Sequence, residues 1–198
     1  MYQGNTGQVI RAARPDDISV IRDIEVAAGE LFRGLGMDAI ADDTPPTESE
    51  LAPYVRDGKA WVATEPDDVP IAYILVEIVD GLAHIEQVTV HPLHSRMGLG
   101  RALIEQVETW SIGRGLSGLT LTTFRDVPWN APYYERLGFM RVPEPAWSEG
   151  LRQIMRQEGA HGLSAWPRVV MKKPSKRQPP GIEAGARPDP DGYRRRGR

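Results

Sequence analysis

Along the chain, short β-branched or alternating apolar runs take turns with stretches whose apolar positions recur every three to four residues. Gln8–Ala13, Lys59–Thr64, Ile71–Val79, His84–Val90, Gly118–Phe124, Phe139–Val142 and Trp166–Met171 have the first pattern and predict strands. Ile18, Ile21, Glu25, Ala28 and Phe32 follow the second pattern, behind Pro15-Asp16-Asp17. A proline there pre-sets the first helical turn, and carboxylates favour the positive end of the helix dipole. Leu99, Leu103, Val107 and Trp110 trace one face of a longer helix that ends at Gly113 and Gly115. Ala131–Leu137 and Ser148–Glu158 predict two more helices. Asp80-Gly81 between two strands predicts a tight antiparallel hairpin. Strands alternating with helices around one hairpin indicate a mixed α/β sheet.

Two segments stand apart. Gly29–Gly58 shows little packing pattern and is expected to be a long functional loop. From Gly36 to Leu51 it carries Asp38, Asp42, Asp43, Glu48 and Glu50 with no basic residue. Residues 174–198 hold seven Lys/Arg against three acidic residues, so they carry +4 and leave −7 on the first 173 residues of a chain whose net charge is −3. Rich in Pro, Gly and Arg and poor in apolar residues, 174–198 is expected to be a disordered tail, with residues 1–173 forming one domain. The acidic body argues against specific nucleic-acid binding and suits cationic small molecules. No apolar stretch approaches membrane-spanning length, and Met1-Tyr2-Gln3-Gly4-Asn5 has no secretion-signal character, so a cytoplasmic protein with no membrane partner is expected. There is no cysteine, which removes disulfides and a thiol nucleophile. The four histidines lack metal-ligand spacing, so no metal is expected.

The strongest chemical signal runs from Gln87 to Leu103. A strand ends at His91-Pro92, the chain turns through Gly98 and Gly100, and a helix begins. Glycines at such a junction let main-chain N–H groups converge on an anion. The Gly-Lys-Ser/Thr ending of a mononucleotide loop is absent, and Leu103 stands where a dinucleotide fingerprint needs its third glycine.

The stretch Val88–Leu103 resembles the pyrophosphate-binding motif of the GNAT superfamily of acetyl-CoA-dependent N-acyltransferases. Trp129-Asn130-Ala131-Pro132-Tyr133-Tyr134-Glu135-Arg136-Leu137-Gly138-Phe139 is similar to that superfamily's later motif, in the expected order and at the expected separation. The resemblance spans about residues 8–172. Ser95 departs from the Gln or Arg usual there, with modest consequence because most pyrophosphate contacts in the superfamily are main-chain.

The resemblance implies a mixed, mostly antiparallel central sheet with helices on both faces, and a splayed strand pair forming the cleft for coenzyme A. It places the Val88 and Val90 backbones along the pantetheine arm, and Met97, Gly98, Leu99, Gly100, Arg101 and Ala102 around the pyrophosphate. Asn130 and Tyr134 then sit beside the thioester, with Tyr134 protonating the departing thiolate. Tyr133 is assigned to packing. His84 and Glu86, two apart on one strand, are both candidates for the base that deprotonates the acceptor amine. In the superfamily the region after the first helix forms one wall of the acceptor pocket. Phe32, Met37 and Asp42 are therefore expected to bind an acceptor that is cationic with an apolar body. Three functions remain in competition: acetylation of a small-molecule primary amine, acetylation of a protein lysine or N-terminus, and non-catalytic acyl-CoA binding. Exposed sheet ends also make a homodimer a candidate assembly.

Overall fold

The computed structural model describes residues 8–175. Seven strands form one sheet: β1 (Val9–Ala12), β2 (Ala60–Thr64), β3 (Pro70–Val79), β4 (Leu82–Val90), β5 (Gly118–Phe124), β6 (Met140–Val142) and β7 (Arg168–Pro174). Their order is β1-β2-β3-β4-β5-β7-β6, and every neighbouring pair is antiparallel except β4 and β5. The helices are α1 (Ile18–Arg33), α2 (Asp38–Ala41), α3 (Glu48–Arg56), α4 (Leu99–Gly113), α5 (Ala131–Arg136) and α6 (Glu149–Ala160).

The sheet is covered on both sides. On one face α4 and α5 bring Leu99, Leu103, Ile104, Val107, Ala131 and Tyr134 against Ala83, Ile85, Leu119 and Leu121. On the other face Ile18, Ile21 and Ile24 of α1 and Leu51 of α3 pack on Val62, Tyr73 and Leu75. The period-3.6 stripes of α1 and α4 are thus the sides that lose water, which is the main driving force for docking them.

Two expectations need correction. Gly29–Gly58 is not an open loop: it finishes α1 and then forms α2 and α3. Thr47 caps α3 reciprocally with Glu50, and Leu51 is fully buried. The domain also extends past residue 173, because Pro174 pairs with Gly118 and the Ser175 N–H donates to the Ser117 carbonyl at 3.2 Å. The rest of the expected tail, from residue 176 on, lies outside the described residues.

The sheet has one opening. β4 and β5 are paired only at Ala83↔Leu119, His84↔Thr120 and Ile85↔Leu121. Beyond that point β4 keeps its ladder with β3 to Ala72↔Val90, and β5 keeps its ladder with β7 to Phe124↔Arg168. Residues 86–90 and 122–124 diverge, as expected of a splayed pair. The β3–β4 register slips where divergence begins, with Leu75 opposite Gln87 but Val76 opposite Ile85, so Glu86 is the extra residue of a β-bulge. A bulge bends its strand and raises the local twist, which turns β4 away from β5. It also resets the alternation of faces: Ile85 and Val88 both pack in the α4-side core, while Glu86 and Gln87 lie on the α1 side.

If α3 is part of the packed core, Leu51→Ala will lower the unfolding free energy by about 2–5 kcal/mol, read by urea denaturation. In a loose surface loop the same change would cost under about 0.5 kcal/mol.

Candidate active site

The opening between β4 and β5 is bordered at its wide end by the start of α4. Gly98 caps that helix with φ +81°, in the left-handed region that glycine enters without a Cβ penalty, and Arg96 just before it has φ +63°. The first helical bond runs from the Ala102 N–H to the Gly98 carbonyl at 3.0 Å. The amides of Leu99 and Gly100 therefore have no intrahelical acceptor, and no side chain caps them. A Cβ on Gly100 would meet the Tyr133 hydroxyl at 3.1 Å and Val90 Cγ2 at 3.8 Å. This glycine lets α5 approach α4, while Gly98 keeps open space around it. Arg101 is mostly exposed on the next turn, with Nε bonded to Glu105 at 2.9 Å. Free amides, a left-handed glycine and the positive helix end suit an anionic group such as a diphosphate.

α5 places the two tyrosines differently. The Asn130 carbonyl accepts from the N–H groups of Tyr133 and Tyr134, at 2.8 and 3.0 Å, and so starts the helix. Tyr134 turns into the sheet beside Phe139, with ring centroids 5.8 Å apart, and burial pushes its phenol pKa up. Its hydroxyl makes no hydrogen bond to the protein among the described residues. Tyr133 stacks edge-on against it and reaches toward Gly100, consistent with packing.

On the opposite face, His84 and Glu86 are neighbours, with Nε2 and Oε2 3.9 Å apart. His84 is 1% exposed, its Nδ1 is 3.0 Å from Thr120 Oγ1, and burial lowers its pKa to about 4. It is neutral and sealed. Glu86 exposes 47% of its side chain, at the edge of the split. Burial by the surrounding elements, with Glu158 and Glu77 adding negative charge and Arg168 opposing them, raises its pKa above the ordinary carboxylate value. Next to it, Glu25 Oε2 accepts from the Tyr73 and Thr89 hydroxyls at 2.5 and 2.9 Å, and Glu25 Oε1 from the Gln87 amide at 2.9 Å.

The expected acceptor wall is only partly present. Phe32 lies beside the opening, in edge contact with Phe124 and Trp129 at 5.7 and 5.6 Å. Met37 does not line a pocket, because it is buried with Phe124 and Val127. Asp42 is no free anion either: it bonds to Arg33 at 2.8 Å, on the surface. Glu25, Thr122, Glu158 and Arg168 were missed. A charged residue within the apolar stripe of α1 was the only local signal, and it marked Glu25 alone. Two separate cavities, of about 260 and 440 Å³, flank α1 at His91/His94 and at Arg14/Arg56, and neither is lined by Tyr134 or Glu86. The candidate site is a split in the sheet, not an enclosed hole.

The His84 environment has a readable consequence. Its folded pKa lies below the ordinary 6.5, so only the unfolded chain takes up this proton as pH falls. The stability contributed by neutral His84 is complete above pH 6.5 and is lost progressively toward pH 4. Proton NMR should find the His84 ring titrating near pH 4, and a normal midpoint would refute its burial.

Residues 25–139, more than half of the chain, match the acetyltransferase (GNAT) family. Solved structures agree at the level of fold. Ard1 from Thermoplasma volcanium superposes with a TM-score of 0.62 at 15% identity, covering 87% of this chain and all of that one. PaiA N-acetyltransferase from Thermoplasma acidophilum, in complex with coenzyme A, gives 0.62 at 14% identity over 84% and 98%. The ribosomal-protein-S18-alanine N-acetyltransferase from Escherichia coli gives 0.59 at 19% identity over 88% and 98%. With the split sheet, the glycine-capped helix and the buried tyrosine at its side, the sequence match places this chain in the GNAT acetyltransferase family.

Proposed function

We propose that the protein transfers the acetyl group of acetyl-CoA directly to the primary amine of a small molecule. The observation that supports this most is the opening between β4 and β5, with a buried phenol on one face and an uncompensated carboxylate on the other. Acetyl-CoA supplies an activated acetyl thioester. The backbones of Val88 and Val90 would receive its pantetheine arm, since the β5-facing side of β4 has no ladder partner there, and the turn Met97–Ala102 would hold its pyrophosphate. Asn130 would lie beside the thioester.

The proton balance follows from the two faces. An amine is almost entirely protonated at neutral pH, so attack requires a base. Glu86 takes the proton from nitrogen; its raised pKa makes it a better acceptor than an ordinary carboxylate. The nitrogen bonds to the acetyl carbon as the carbon–sulfur bond breaks, the Tyr134 hydroxyl gives its proton to sulfur, and the second proton that the nitrogen sheds as it becomes an amide returns through solvent to the Tyr134 phenolate. Burial keeps that phenol protonated until the thiolate forms. His84 is assigned no proton transfer, because it is sealed and weakly basic.

A second reading, acetylation of a protein N-terminus, is favoured by one structural neighbour, whose name gives a ribosomal-protein alanine as its acceptor. Mass spectrometry of peptides and free amines incubated with acetyl-CoA separates the two.

Tyr134→Phe should lower kcat about 10²–10⁴-fold while calorimetric affinity for acetyl-CoA is retained. An unchanged kcat would remove Tyr134 from the chemistry. Because the base must be ionised, the wild-type rate should fall on the acid side as Glu86 is protonated. Glu86→Gln should abolish that limb along with most of the rate, and a persisting limb would assign the base elsewhere.

A further inference from the structure

On the face away from α4, the side chains bordering the split form three successive rungs. The innermost is His84 with Thr120, closed by their 3.0 Å contact. In the next, Glu86 stands on the β4 side and Thr122 follows Leu121 on the β5 side. Glu158 of α6 binds the Thr122 hydroxyl and is held by Arg168 of β7, with Nη2–Oε1 at 2.6 Å and Nε–Oε2 at 3.1 Å. The outermost rung is aromatic. Phe124 lies 4.8 Å from the Arg168 guanidinium, and edge contacts link it to Phe32 and Trp166, at 5.7 and 6.2 Å. Trp129, 40% exposed, extends this surface from Phe32 toward solvent.

α6 cannot swing freely away from these rungs. At its start the Gly150 N–H donates to Asp80 Oδ2 at 2.9 Å, and a Cβ on Gly150 would lie 2.5 Å from Val79 Cγ1. At its end Glu158 ties it to β5 and β7. A twelve-residue helix is therefore pinned to the β3–β4 hairpin at one end and to the far side of the split at the other. Of the other carboxylates here, Glu77 is matched by Lys59 at 2.8 Å, Glu158 by Arg168, and Glu25 is held by the Tyr73, Thr89 and Gln87 side chains. Among the described residues, Glu86 has only the neutral His84 within ion-pair distance.

Resting on the acetyl-transfer reading of the same split, we propose that this face of the split, walled by α6, selects an amine bearing a single positive charge on a flat apolar body. The ammonium sits against Glu86 beside the Glu158–Arg168 pair, and the body lies on Phe32 and Trp129, which Phe124 backs from the core. A second cation on the acceptor finds the oxygens of Glu25, Glu77 and Glu158 already bonded and would have to lose water against aromatic rings. Glu158 is the specificity-determining residue. Its charge faces the ammonium, and its bonds to Arg168 and Thr122 keep that guanidinium from pairing with Glu86 and displacing the acceptor.

The test uses the full chain with acetyl-CoA, following thiol release with phenethylamine and with putrescine as acceptors. Phenethylamine should be preferred in kcat/KM by about tenfold or more, the value of one favourable contact. Glu158→Gln should raise the phenethylamine KM about tenfold and leave the acetyl-CoA KM within about twofold. Independently of any acceptor, carbon-13 NMR should show the Glu86 carboxyl titrating at lower pH in Glu158→Gln, because the neighbouring negative charge is gone. Should that variant not fold, Phe32→Ala serves instead, raising the KM for phenethylamine but not for putrescine. Equal or better use of putrescine overturns the proposal. So does acetyl-CoA binding without turnover of either amine, or a Glu158→Gln variant whose KM for phenethylamine is unchanged. Absence of any heat of acetyl-CoA binding would instead remove the acetyl-transfer reading, and the proposal with it.

Discussion

A sheet that comes apart in its own middle must do something with the main-chain groups it stops pairing, and that constraint organises this molecule. Unpaired backbone polar groups are costly where water cannot reach them. Past Ile85 the side of β4 that faces β5 has no ladder, although both strands remain fully paired on their outer sides. The split is therefore not frayed structure. It is held open by the Glu86 bulge on one side and by β7 and α6 on the other. Any extended ligand with amide groups can complete what β5 no longer supplies.

Much of this was legible in the chain because local chemistry demanded it. Asp80-Gly81 could only turn tightly, and both residues have positive φ. Gly98 was recognisable because the left-handed cap at the start of α4 suits glycine alone. The two long apolar stripes found their faces of the sheet. α3 was missed because its apolar content is slight and Pro53 interrupts it, yet Thr47-Glu48-Ser49-Glu50 carries the capping-box signature that would have located its start.

The site was legible in its backbone elements and less so in its charges. A bulge has no local sequence mark, so nothing announced that Glu86 and Gln87 would share a face. Asp42 looked unpaired only because its partner, Arg33, lies just before the acidic stretch. Arg168 and Glu158 are ten residues apart and meet because α6 folds back before β7 begins. Such pairings belong to tertiary structure, and reading the acidic segment on its own overstated its charge.

His84 and Glu86 show why residue type alone could not choose the base. Both can accept a proton, they lie within 3.9 Å, and burial pushes each toward neutrality. The same force has opposite chemical results. It lowers the histidine's affinity for a proton and raises the carboxylate's, which favours Glu86 over His84 as the proposed acceptor. Across the sheet, burial of Tyr134 works in the complementary direction, keeping its proton in place until a strong base appears. One physical effect, removal of water, thus acts in different senses on the three groups, and the proposed roles of acceptor, bystander and donor rest on that difference.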